Sequence, residues 1–202
     1  FLLILPFDWF RYFHLAHHRW TNIEGRDPEL AAAKPETRRE WIWHVSGLPY
    51  WISELALMRD LIAGSAEGDY LPTGAKSRII AQARWMALGY AAVLWSLWYT
   101  SLLLWVWIVP MLIAQPALRL YLLAEHGDCE RVENMFLNTR TTFTNEVMRF
   151  LAWNMPYHVE HHVFPAVPFY LLPRLHQLMK GELKVTAEGY QAFTRDYLRR
   201  RM

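Results

Sequence analysis

The chain of 202 residues is too apolar for a disordered protein, because 53% of its residues are hydrophobic and 15% are aromatic. Its formal net charge of +2, with basic and acidic residues interspersed, argues against nucleic-acid binding. The single cysteine, Cys129, excludes an internal disulfide framework, a thiolate zinc site and an iron–sulfur cluster held within this chain. Any metal bound here therefore needs nitrogen or oxygen ligands.

The N-terminal part of the chain predicts short helices separated by polar loops. The chain opens on FLLILP, without an initiator methionine or the pattern of a signal peptide, which indicates a fragment truncated at its N-terminus. A short helix is expected around Asp8–Thr21, followed by a polar loop with Gly25 and Pro28. The tryptophan-rich segment Trp41–Met58 predicts an interfacial helix, because charged and helix-breaking residues interrupt it.

A long apolar region in the middle of the chain predicts a transmembrane hairpin. No Lys, Arg, Asp or Glu occurs between Trp85 and Leu118. The apolar region as a whole, from Ile79 to Leu123, is longer than the roughly 20 residues that one crossing needs. Two membrane helices, at about 79–98 and 102–122, are therefore predicted, with a turn between them.

The charges around this hairpin predict its orientation. The turn carries none of the 21 Lys and Arg residues, so the positive-inside rule places both flanks, 1–78 and 123–202, on the cytoplasmic side or at its interface. The predicted fold class is all-α, an integral membrane helical protein with a transmembrane hairpin and a cytoplasmic, histidine-rich helical cap. The whole chain, 1–202, is predicted to form a single domain.

Six of the nine histidines form two copies of one pattern, H-x-x-H-H. The copies are HLAHH, with His14, His17 and His18, and HVEHH, with His158, His161 and His162. On an α-helix these spacings place three imidazoles on one face. Neutral imidazole binds iron, zinc, copper and nickel, so each triplet predicts a metal-binding face. The two crossings of the hairpin would bring both triplets to the same side of the membrane.

The remaining histidines and Glu160 have weaker signals. His126 follows the second predicted membrane helix and is a candidate seventh ligand, with a helix-terminal cap as the alternative. His44 and His176 lack cluster spacing and are assigned structural roles. Glu160 lies inside the second triplet but on the opposite helix face, which predicts a supporting or surface position.

The motifs that are absent narrow the metal chemistry further. No histidine has a glutamate three residues before it, which excludes the carboxylate-rich di-iron bundles. The zinc-protease motif H-E-x-x-H is also missing. Asp27 and Asn154 are predicted, from their proximity in sequence, to hold histidine ring N–H groups.

The histidine motifs resemble those of the membrane fatty acid desaturase family. FDWFRYFHLAHHRWTNIEGRDPEL is similar to the second histidine box of that family, and NMPYHVEHHVFPAVPFYLLPRLH is similar to the third. The first box has no counterpart, which we attribute to truncation. The resemblance implies two iron ions, O2, a lipid acyl chain as substrate and desaturation of that chain. It also implies an external electron donor, ferredoxin or cytochrome b5, because the chain has no iron–sulfur cysteines and no G-x-G-x-x-G motif.

Other functions remain open at the level of sequence. The same scaffold includes hydroxylases and ketolases that act on carotenoids, sterols or alkanes. A non-catalytic membrane metal-binding protein and a degenerate fragment are further alternatives. The C-terminal segment YQAFTRDYLRRRM predicts a basic amphipathic helix. Arg199, Arg200 and Arg201 are assigned a solvated or lipid-headgroup role, with docking of an acidic electron donor as the alternative.

Overall fold

The computed structural model describes residues 4–202, most of which are helical. The α-helices are α1 (Phe7–Trp20), α2 (Arg38–Val45), α3 (Leu48–Ala63), α4 (Thr73–Ser96), α5 (Val109–His126), α6 (Met135–Asn138), α7 (Glu146–Leu151), α8 (His158–Val163), α9 (Leu172–Met179) and α10 (Tyr190–Arg201). The short strands are β1 (Thr141–Thr142) and β2 (Thr186–Ala187). Helix α1 confirms the helix predicted around Asp8–Thr21.

The chain divides into two compact units. The first contains residues up to Leu15 together with Trp43–Ala117, and the second contains Ala16–Ile42 together with Leu118–Met202. In the first unit, α3 and α4 pack through a core that includes Leu61, Ile79 and Ala83. Small and medium apolar side chains on the facing stripes allow the two helices to approach closely.

The single helix predicted over Trp41–Met58 is divided in the structure into α2 and α3. The break falls at Gly47, whose backbone adopts the left-handed conformation with φ +74°. A Cβ atom at Gly47 would lie 2.6 Å from Cβ of Gln115, so this position also has no room for a side chain. Pro49, in the first turn of α3, has no backbone N–H and is tolerated only at such a start.

The predicted membrane hairpin corresponds to α4, a turn, and α5. Within residues 4–202, the helical segment Leu104–His126 has the length and apolar composition of a membrane span. Its first turn, Leu104–Ile108, is π-helical and precedes α5. Helix α4 begins earlier than predicted, at Thr73, so its first turns include polar residues. The pairing of both helices as a membrane hairpin stays a prediction.

In the second unit, the end of α5 packs against α10. Leu123 and Ala124 form a core with Phe193 and Tyr197. The Arg140 guanidinium donates hydrogen bonds to the carbonyls of Ala124 and Gly127, both at 2.7 Å. This cation thus satisfies carbonyl groups that the end of α5 leaves without helical partners.

A short parallel pair of strands departs from the predicted all-α fold. Thr141 pairs with Thr186, and Thr142 pairs with Ala187. Two residues are too few to give an alternating pattern, so the sequence carries no signal for this pair. The pair holds the segment before α7 next to the segment before α10.

Candidate metal centre

Four buried histidines of the second unit converge on one point. They are His17 from α1, His126 from the end of α5, and His158 and His162 from α8. One ring nitrogen of each lies within 4.8 Å of those of the other three. The i, i+4 spacing of the two α8 residues places both rings on one helix face, as predicted. The structure thus brings together members of both triplets and His126.

The nitrogen atoms of three of these rings are in direct contact. Nε2 of His158 lies 3.1 Å from Nε2 of His126 and 3.1 Å from Nε2 of His162. Whether these contacts are hydrogen bonds depends on which ring nitrogens carry protons. The partners of the Nδ1 atoms decide that question.

The Nδ1 atoms of His126 and His162 both carry protons. Nδ1–H of His126 donates to the carbonyl of Asn138 at 3.1 Å, and a carbonyl can only accept. Nδ1 of His162 lies 3.0 Å from the hydroxyl oxygen of Thr21. That hydroxyl donates its own proton to the carbonyl of His17 at 2.7 Å, so it accepts from His162. The Nε2 atoms of both neutral rings therefore present lone pairs.

This arrangement leaves at least one close nitrogen pair without a proton between the atoms. Nε2 of His158 can donate at most one proton, yet it faces two lone pairs at 3.1 Å. The Nδ1 atom of His158 faces the carboxylate of Glu125 at 3.5 Å. A cation among the Nε2 atoms would turn this repulsion into coordination, and imidazole nitrogens suit first-row transition metals. The donor set therefore fits a metal.

The electrostatics of the cluster favour neutral ligands on α8. Burial lowers the pKa of His158 and His162 well below the usual value for histidine, and the neighbouring histidines lower it further. Burial also lowers the pKa of His161. Neutral imidazole is the form that binds a metal, so these rings need not lose a proton at neutral pH.

The pKa of His17 is shifted in the opposite direction. Burial on its own would lower its pKa, but the hydrogen bond to Asp27 and the charges of Glu29 and Asp27 outweigh burial, so the pKa is raised. Nδ1–H of His17 donates to both carboxylate oxygens of Asp27, at 3.0 and 3.1 Å. A carboxylate behind a histidine fixes its tautomer and makes Nε2 a stronger donor to a metal.

The remaining members of the two triplets lie on the same helices. The rings of His18 and His161 are 4.5 Å apart between centroids, in an edge-to-face arrangement. His18 also stacks on His162 at 4.2 Å, so this pair adjoins the buried cluster. His14 lies one turn before His18 on α1, which places it on the same face of that helix. These three histidines are half-buried.

The two predicted supporting residues have different environments. Asp27 contacts His17 and also accepts hydrogen bonds from the backbone N–H groups of Asn22 and Glu29. Asn154 instead donates to the carbonyl of Phe169, and none of its hydrogen bonds within residues 4–202 goes to a histidine. Trp153 and Asn154 both have positive φ, 54° and 58°, and the backbone turns there ahead of α8. The predicted contact between Asn154 and a histidine is therefore not found.

Sequence reasoning missed several residues around the histidines. Thr21 lies one helical turn after His17, which is a signal that helix periodicity contains. Asn138 and Glu125 carry no comparable signal, because their partners are set by packing between distant segments. The ring of His126 does not cap α5, since its Nδ1–H donates to the carbonyl of Asn138, outside that helix.

Glu160 and His176 form a second buried polar pair behind α8. Glu160 is completely buried and accepts hydrogen bonds from the Thr141 hydroxyl at 2.6 Å and from Nδ1–H of His176. His176 stacks on Tyr157 at 4.6 Å between ring centroids. Glu160 thus points away from the helix face that carries the clustered histidines, as predicted, but it is in the interior and not on the surface. It ties α8 to β1 and α9.

Comparison with known protein families gives one result. The family model described as fatty acid desaturase matches residues 1–194, which is nearly the whole chain. No curated protein and no solved structure gave a match.

Proposed function

Because the chain belongs to the fatty acid desaturase family, we propose that it forms the histidine-rich part of a membrane-bound, O2-dependent desaturase that introduces a double bond into a fatty acyl chain. The family implies oxidoreductase activity on a lipid with O2. The observation that carries the proposal is the cluster of histidine Nε2 atoms, which have lone pairs directed at one another. A metal cation at this point would satisfy these lone pairs, which packing among the rings does not.

We assign two iron ions to the seven histidines. The buried group of four, His17, His126, His158 and His162, would hold one ion. The other three, His14, His18 and His161, would hold the second. Histidine ligands suit iron, and seven ligands for two ions leave coordination positions open for O2.

The chemistry supplied by such a pair of irons is the reduction of O2 to an oxidant able to take hydrogen from an unactivated alkyl chain. The overall reaction joins one O2, two electrons, two protons and two hydrogens of the chain to form two waters and a carbon–carbon double bond. The two electrons come from outside, and we propose ferredoxin or cytochrome b5 as their source.

The protein's own residues hold the ligands in place for this reaction. Asp27 orients His17, Thr21 orients His162, and the carbonyl of Asn138 orients His126. Each of these partners binds Nδ1–H, so that Nε2 of each ring is left to bind metal. Burial keeps bulk water away from this group of rings.

The membrane placement is part of the proposal. The family is membrane-associated, and Leu104–His126 has the composition of a span. Large apolar side chains on α4 and after it are widely exposed, among them Trp85 at 74% and Trp98 at 85%. Lipid contact accounts for such exposure better than water does. We propose the hairpin 79–98 and 102–122, with both flanks cytoplasmic and residues 1–202 acting as one domain.

The test is the metal content of the full-length protein, measured beside a variant with His158, His161 and His162 changed to Ala. We expect about two irons per chain in the parent and a loss of most iron in the variant. His44→Ala is the matched control, because it removes a histidine outside the cluster. Zinc in place of iron, or unchanged iron in the triple variant, would contradict the proposal.

The product then distinguishes the reactions open to this family. We expect a linear monoene when the iron-loaded protein is given lipid, O2 and a reductant. An oxygenated lipid would indicate a hydroxylase or ketolase on the same scaffold. Bound iron without O2-dependent turnover would indicate a metal-binding protein without catalytic function.

A further inference from the structure

A groove of about 540 Å³ lies along the C-terminal helix α10, apart from the histidine cluster. Its lining includes Leu120, Tyr190 and Leu198, with Thr194, Arg195 and Arg199 along α10. The exposed surface of the groove is almost entirely apolar, so Arg195 and Arg199 line it mainly through carbon atoms. Apolar walls beside two cations are the features that an anionic amphiphile requires.

The structure divides the C-terminal arginines into two sets. Arg200 and Arg201 both form ion pairs with Asp128, at 3.0 and 2.7 Å. Arg195 and Arg199 belong to the groove instead, and their i, i+4 spacing places both on the same helix face. The basic run at the end of the sequence therefore contains two paired arginines and one that serves the groove together with Arg195.

The positive charges of Arg195 and Arg199 are available to a ligand. Arg195 contacts Asp196 at 3.5 Å, but both side chains are more than half exposed, and such a pair contributes little. Arg199 has no ion pair among residues 4–202. Two guanidinium groups one turn apart can bind the oxygens of one phosphate from two sides.

The groove also lies beside the last two turns of the candidate membrane span, Leu104–His126. Arg119 is the first charged residue after the uncharged run Trp85–Leu118, and Leu120, which follows it, lines the groove. If α5 crosses the membrane as proposed above, this level is the cytoplasmic headgroup region. Negatively charged lipids of that leaflet attract Lys and Arg placed beside it.

We propose that this groove binds an anionic phospholipid. The phosphate binds between Arg195 and Arg199, and the first part of an acyl chain packs on Leu120 and Leu198. An acidic electron donor fits the surface less well, because Arg200 and Arg201 beside the groove already form ion pairs with Asp128. The site is distinct from the proposed site of acyl-chain oxidation.

The proposal is tested by native mass spectrometry of the purified full-length protein, released from nanodiscs that contain both phosphatidylglycerol and phosphatidylcholine. The measured quantity is how much more phosphatidylglycerol than phosphatidylcholine the protein retains. The double variant R195Q/R199Q should lose about 30-fold in preference for the anionic lipid, at about five-fold for each arginine. R38Q/R39Q is the matched control, because it removes two exposed arginines from α2. Equal losses in both variants would overturn the proposal, and so would unchanged preference in R195Q/R199Q.

Two further experiments identify the ligand of the groove. L198S should weaken lipid retention by about three-fold or more through lost apolar contact, and soluble glycerophosphoglycerol should not compete with the lipid. Competition by this headgroup alone at equal concentration would show an anion site without a lipid. Loss of binding to an acidic ferredoxin in R195Q/R199Q, with lipid retention unchanged, would show a donor surface. Either result overturns the proposal.

The position of the groove at the membrane surface rests on the proposed function, and the same samples show which of the two proposals has failed. Iron content reports on the histidine cluster, and insertion into bilayers of phosphatidylcholine alone reports on the crossing. An iron-loaded, inserted protein without preference for phosphatidylglycerol contradicts the groove proposal only. A protein that prefers the anionic lipid but holds no iron contradicts the proposed function only.

Discussion

Thr21 accepts a hydrogen bond from His162, and its hydroxyl thereby links the two histidine triplets. The Nδ1–H of His162 on α8 donates to the Thr21 hydroxyl on α1 at 3.0 Å, and that hydroxyl donates to the carbonyl of His17 at 2.7 Å. Thr21 is 1% exposed. One hydroxyl thus sets the tautomer of a histidine in one triplet and binds the backbone of the other.

Replacing Thr21 tests this link. Thr21→Val keeps the shape of the side chain but removes the acceptor for His162, so the ring is free to change tautomer. We expect iron affinity to fall by about 10- to 100-fold, as for the loss of other partners of ligating histidines. Titration of the metal-free protein with ferrous ion measures the change. Thr21→Ser retains the hydroxyl and should restore most of the affinity, and equal losses in both variants would contradict this role.

Replacing Asp27 should affect both iron affinity and the stability of the loop that follows α1. Asp27→Asn removes the charge behind His17 and should lower iron affinity by about 10-fold. Asp27→Ala also removes the acceptor for the backbone N–H groups of Asn22 and Glu29, and should lower the free energy of unfolding by about 1 kcal/mol more. Metal titration and chemical unfolding measure the two effects. Asp69→Asn, at an exposed position, is the control and should change neither quantity.

Glu160 and His176 should stabilise the fold around α8 as a pair. Glu160→Ala leaves the Thr141 hydroxyl and the ring of His176 buried without their acceptor, and we expect a loss of about 3 kcal/mol in the free energy of unfolding. The double variant with His176→Ala should cost less than the sum of the two single changes, because the contact is lost only once. Additive costs in this cycle would show that the two residues are not coupled.

Arg140 should keep the C-terminal end of α5, which carries His126, in a fixed conformation. Arg140→Leu leaves the carbonyls of Ala124 and Gly127 without their donor, and each such bond from a charged group contributes about 1.5–3 kcal/mol. We expect faster amide hydrogen exchange in the last turn of α5 and weaker iron binding. Arg140→Lys retains the charge and should show a smaller effect. Unchanged exchange in Arg140→Leu would contradict the capping role.

Gly127 offers an independent test of the same region. A Cβ atom at this position would lie 2.2 Å from the carbonyl oxygen of Leu123 and 3.1 Å from the ring of Phe193. Gly127→Ala should therefore force the backbone after His126 to move and should cost about 1–3 kcal/mol. Thermal unfolding measures this cost. Gly74→Ala is the control, because a Cβ atom there meets nothing within 4 Å.

The sequence by itself determined the features that depend on local spacing. The pattern H-x-x-H-H places its histidines on one helix face whatever the surroundings, and the helix predicted around Asp8–Thr21 is found at Phe7–Trp20. The length of the uncharged run is enough to indicate a membrane span, because bilayer thickness sets how many apolar residues are needed. The family could also be identified from the two triplets and the residues around them.

Only the tertiary structure decided which partners each histidine has. Asn138 binds the ring of His126, Glu160 turns out to be buried against Thr141 and His176, and Asn154 contacts Phe169 and not a histidine. The pairing of Arg200 and Arg201 with Asp128 likewise separates arginines that look equivalent in the sequence. These contacts join residues that are far apart along the chain, and packing of whole helices brings such residues together, which local periodicity does not encode.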